Sequence, residues 1–141
     1  MKAIMYHYVR ESSFSKPYEN FLNIEDFRRQ LDYFAETCRF PTKDEFLDSV
    51  RKKVPIQNGI ILTFDDGLID HFEFVLPELN SRNLWGIFYV STDPLLAHKA
   101  LDVHRIHYLL GRFGGERVLE ILRSEITKDM ISDEFEHVFQ G

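Results

Sequence analysis

Apolar positions recur along the chain at two spacings, and each spacing marks a different kind of element. Lys2 to Val9 (KAIMYHYV) is short, apolar and rich in Tyr and β-branched residues, which predicts a first strand. A polar loop follows over Arg10 to Asn20. From Asn23 the pattern changes to helical spacing, with Ile24, Phe27, Leu31, Phe34 and Cys38 on one face. Asn23 is available as N-cap, and Glu25 and Asp26 sit where the positive helix start favours them. Thr42-Lys43-Asp44-Glu45 is a T-x-x-E capping box ahead of Phe46, Leu47 and Val50, predicting a second helix that ends before Pro55.

Gly59 to Phe64 (GIILTF) shows no polar alternation before Thr63, as expected of a strand buried on both faces of a parallel sheet. His71 to Leu84 returns to helical spacing through Phe72, Val75, Leu76 and Leu79, with Pro77 expected to bend it. Leu84 to Val90 (LWGIFYV) reads as a third strand, completing a strand, helix, strand alternation. Beyond Ser91 the segments Asp102–Phe113, Gly115–Glu125 and Ser132–Phe139 all carry helical spacing, and no further strand is expected. The expectation is one α/β domain over residues 1–141, with a strand and helix part over 1–92 and a helical segment over 93–141.

Composition narrows the function classes. The chain has 141 residues, 44% hydrophobic, which is enough to bury a core without a disulfide or metal. Its net charge of -6, with no basic run beyond Arg51-Lys52-Lys53, argues against nucleic acid as a partner. No apolar run approaches the roughly 20 residues that cross a bilayer. The first residues lack a secretory apolar core, and Cys38 has no partner for an intrachain disulfide, so a cytoplasmic location is expected.

The strongest chemical signal is Thr63-Phe64-Asp65-Asp66-Gly67 at the end of the buried strand. Ligands of parallel sheets bind beyond the carboxyl ends of the strands, and Gly67 permits a sharp turn there. Adjacent carboxylates at that point are costly unless something positive binds beside them. The alternative is an Asp-Gly turn with one Asp capping the next helix. No P-loop, G-x-G-x-x-G or G-x-S-x-G motif is present, and Gly67 stands where a phosphatase D-x-D would place its second Asp.

In this context the sequence resembles the polysaccharide deacetylase family, the NodB-homology domain of carbohydrate esterase family 4. The resemblance rests on ILTFDDG, LIDHFEFVLPEL and GIFYV, with the strand ending MYHYV and the helix FRRQLDYFAE before them, and it covers about residues 3 to 92. It implies the N-terminal portion of a distorted (β/α) barrel, and metal-dependent removal of N-acetyl or O-acetyl groups from a carbohydrate. By motif match it gives Asp65 the general-base position and Asp66 a ligand position for a divalent metal, zinc by preference. The remaining ligands come, in that family, from H-[ST]-x-x-H downstream of TFDDG. This chain lacks that motif: none of its six His is followed by Ser or Thr, and no two are four apart.

Other His readings stay open. His104 and His107 share a helix face and could reach one metal, or flank a buried stripe of Ile106, Leu109 and Leu110. His71 reads as a helix-face residue or a metal ligand. His7, at the end of the first strand, either lines the site or packs under it. Three strands cannot close a barrel of about eight, so an incomplete catalytic domain is expected, with self-association through bare sheet edges as another outcome. The competing function is a non-catalytic carbohydrate-binding or interaction module.

Overall fold

The computed structural model describes residues 1–12 and 15–132. The chain forms two compact units, Met1–Ser12 with Asn20–Lys99, and Ser13–Glu19 with Ala100–Gly141. The helix expected over Ser132–Phe139 lies outside the described residues.

The first unit is built on a three-stranded parallel sheet in the order β1-β4-β5, formed by β1 (Lys2–Tyr6), β4 (Ile60–Phe64) and β5 (Gly86–Phe88). Lys2 pairs with Ile60 and Tyr6 with Phe64, while Leu62 pairs with Gly86 and Phe64 with Phe88. The carboxyl ends of all three strands therefore come level at Tyr6, Phe64 and Phe88. β4 is central, and all five of its residues are buried, as its unbroken apolar run predicts. The expected first strand breaks at His7: Val9–Arg10 is a separate strand, β2, paired in parallel with β3 (Leu22–Asn23).

The helix α1 (Ile24–Thr37) starts as its sequence indicates, with the Asn23 side chain accepting from the Glu25 amide. Its Ile24, Phe27 and Leu31 are buried, and Phe34 and Cys38 pack partly buried against the same core. In α2 (Lys43–Lys52) the capping box forms in full between Thr42 and Glu45. Its expected apolar face is only half realised: Phe46 stacks near Trp85, with ring centroids 5.5 Å apart, while Val50 is exposed. Phe64 is the hub of the core, stacked on Tyr6 and Phe88 at 5.5 and 4.9 Å and meeting the Phe27 edge at 6.1 Å.

The helix expected over His71 to Leu84 is split. His71–Val75 is a π-helical turn, in which the Leu76 amide donates to the His71 carbonyl, and α3 (Leu76–Ser81) follows. Pro77 accounts for the break, because it has no amide to donate and its ring crowds the carbonyl four residues back. At the start of α3 its missing donor costs least. The face buried against the core is His71, Val75 and Leu79, whereas Phe72, expected on that face, is 70% exposed.

A short helix that the periodicity did not predict, α4 (Asp93–Ala97), follows β5. In the second unit, α5 (Asp102–Phe113) and α6 (Gly115–Glu125) match their expected spans and pack on each other. The stripe of Ile106, Leu109 and Leu110 is not a buried one: Ile106 is 54% and Leu109 44% exposed. No helix among the described residues is long and apolar enough to cross a membrane.

Candidate active site

Parallel pairing of β1 with β4 brings the two chain segments that leave them, His7 and Asp65-Asp66, to one end of the sheet. The Asp65 amide still belongs to the ladder, donating to the Tyr6 carbonyl at 3.0 Å. The Tyr89 amide donates to the Phe64 carbonyl at 2.8 Å on the other side. Beyond Asp65 the chain reverses through two residues of positive φ, Asp66 at 76° and Gly67 at 61°. Asp tolerates that region better than most residues, and Gly67 is needed for space as well as for φ. A Cβ there would lie 2.9 Å from Val90 Cγ1.

The turn gives the two carboxylates different surroundings. Asp65 Oδ1 is buried and has no hydrogen-bond partner among the described residues. Such an oxygen is costly to bury without a partner. Asp66 instead faces His7, with Oδ2 3.8 Å from Nε2 and both side chains partly exposed, at 28% and 41%. That distance is long for a direct hydrogen bond. His7 thus lies beside the turn, not beneath it.

Two further buried residues bear on the segment that carries His7: Asp70, which the sequence did not single out, and His71, read there as a helix-face residue or a metal ligand. Asp70 and His71 are buried at 5% and 4% exposure. Arg10 donates through Nε to Asp70 Oδ2 at 2.6 Å. His71 Nε2 lies 2.8 Å from the His7 carbonyl oxygen. A carbonyl only accepts, so Nε2 carries the proton, and Nδ1 is buried without a partner among the described residues. Spacing held the clue to His71, which precedes Val75 and Leu79 at intervals of four on the buried face. The Arg10–Asp70 pair spans sixty positions and left no local sign.

The ligand set for a metal stays partial. An open zinc site takes about three protein ligands. Among the described residues no group of three or more His, Cys, Asp or Glu side chains converges to hold an ion. Asp66 and His7 give two ligand-type side chains near each other, so these residues do not make a complete zinc site. His104 and His107 lie on α5 in the second unit.

No protein-family model and no curated protein sequence matches the chain. Solved structures do. IcaB from Ammonifex degensii is 28% identical with a TM-score of 0.51, covering 62% of this chain and 36% of its own. A de-N-acetylase from Aggregatibacter actinomycetemcomitans is 16% identical with a TM-score of 0.50, covering 61% of this chain and 35% of its own. The deacetylase PplD of Streptococcus pyogenes, solved with acetate, is 23% identical with a TM-score of 0.56, covering 74% of this chain and 49% of its own. The chain thus spans between about a third and a half of the length of these neighbours. Its three parallel strands and their helices fit part of a NodB-type barrel, and by fold the chain is polysaccharide deacetylase-like.

Proposed function

We propose that the chain supplies the general base and part of the metal site of a hydrolase that removes acetyl groups from a carbohydrate. The observation that carries this reading is the Asp65-Asp66 turn at the strand end, with one buried oxygen left unpartnered and the other carboxylate facing His7. In the reaction, Asp65 accepts a proton from the water that attacks the acetyl carbon. Collapse of the tetrahedral species breaks the C–N bond of an amide, or the C–O bond of an ester. The proton passes to the leaving nitrogen or oxygen, and acetate is released.

The divalent metal, zinc by preference, enters as an ion that Asp66 would ligate together with groups beyond the described residues. The same partial set favours a second reading, a carbohydrate-binding module that retains the deacetylase frame without turnover. Calorimetric titration with Zn²⁺ and with an N-acetylated chitooligosaccharide separates the two. The deacetylase reading expects weak Zn²⁺ binding that Asp66→Ala abolishes. Saccharide binding that survives a chelator, with no acetate released in the presence of Zn²⁺, would support the module and count against the enzyme.

A further inference from the structure

Resting on the reading of Asp66 and His7 as one site, we infer that His71 is a positioning residue: its Nε2–H holds the His7 carbonyl and so keeps the His7 imidazole opposite Asp66. His7 needs such a support. The β1 ladder ends at Tyr6 and β2 begins at Val9, so His7 belongs to neither strand. The donor that reaches its carbonyl comes from across the chain, at 2.8 Å.

His71 is itself held firmly. Its ring meets Phe64 at 5.6 Å and Phe88 at 5.9 Å, the two stacked rings at the strand ends. The residue before it, Asp70, grips Arg10 on the far side of His7. Asp70 and His71, two consecutive buried residues where the π-helical turn begins, therefore tie down the chain at His7 and again at Arg10. Such turns recur at functional sites. A residue that only filled the core here would be apolar, like Val75 and Leu79 on the same stripe. His71 instead buries a second ring nitrogen, Nδ1, without a partner among the described residues, a cost of burial that an apolar side chain avoids.

NMR of the histidine rings in the chain tests this, with the shift of the His7 ring on Asp66→Asn as the readout. In the unmutated protein Asp66→Asn moves the His7 ring signals; in a His71→Leu background that response is lost; in His71→Gln, whose side-chain amide can still donate to the carbonyl, it returns. A response that persists undiminished in His71→Leu overturns the positioning role and leaves the Asp66–His7 pair standing. If His7 shows no response even in the unmutated background, the pairing itself fails and the inference falls with it. A measurement without substitution guards against misfolded variants: the ring nitrogen shifts of His71 must report the Nε2–H form, and the Nδ1–H form would refute the hydrogen bond.

Discussion

Asp65 and Asp70 are both drawn into the protein, but their partners differ. Asp70 is satisfied by Arg10, at side-chain exposures of 7% and 15%. Breaking a buried ion pair is strongly destabilising, so Asp70→Ala should cost about 3–5 kcal/mol in urea unfolding. Asp65 has an orphan buried oxygen, so Asp65→Asn should leave stability nearly unchanged, because no hydrogen bond to that oxygen is lost. Equal destabilisation by both substitutions would show that Asp65 has a structural partner after all. Tyr6 gives a pH signature. Burial pushes its phenol up to about 12, while its hydroxyl donates to Gln30 Oε1 at 2.9 Å. The unfolded chain ionises this group from about pH 10 and the folded one resists. Its contribution is therefore complete below pH 10 and lost as pH climbs toward 12. The stability gap between the protein and Tyr6→Phe, measured by urea titration at several alkaline pH values, should narrow over that range. At this scale the sequence revealed Asp65 and Asp66, because a strand end and a turn are local. It did not reveal Arg10–Asp70 or the His71 hydrogen bond, which exist only once distant segments meet.

Elements were legible where one local rule governs them. The Asn23 cap, the Thr42–Glu45 capping box and the unbroken GIILTF run each fixed an element close to its observed bounds. They were less legible where rules compete, as at Pro77, whose missing donor divides one expected helix into a π-helical turn and α3. Between α1 and α3 a charged network runs from Arg28 to Glu78 at 2.7 Å, from Glu78 to Arg82 at 2.8 Å, and on to Asp32. Burial opposes ionisation of Glu78, and the hydrogen bonds and charges of Arg28 and Arg82 together outweigh it, holding its carboxyl below the usual range. A depressed carboxyl stabilises the fold above its unfolded pKa and loses that contribution as pH falls through the folded value. Glu78→Gln should therefore cost about 1–3 kcal/mol at neutral pH and progressively less as the solution is acidified below pH 4. A cost that is constant with pH would mean that the network adds no charge-dependent stability.

For the molecule as a whole, the frame and the chemistry separate. The three-stranded sheet brings His7, Asp65 and Asp66 to one end, and the likeness to deacetylases extends over 61–74% of the chain. The second unit carries no strand among its described residues, and Ile106 and Leu109 on α5 are about half exposed. One of the two readings of this helix placed those residues in a buried stripe, because periodicity marks which face is apolar and does not say how far it is covered. For the metal, the family resemblance implied a ligand position for Asp66, and the missing H-[ST]-x-x-H was already legible in the sequence. The central claim is that Asp65 acts as the base of a deacetylase. It is tested most directly by acetate release from an N-acetylated chitooligosaccharide, using the protein as it occurs naturally, with and without Asp65→Asn. The account predicts zinc-dependent acetate release that the substitution lowers by about 10²–10⁴-fold with folding intact. Acetate release unchanged by Asp65→Asn would contradict it.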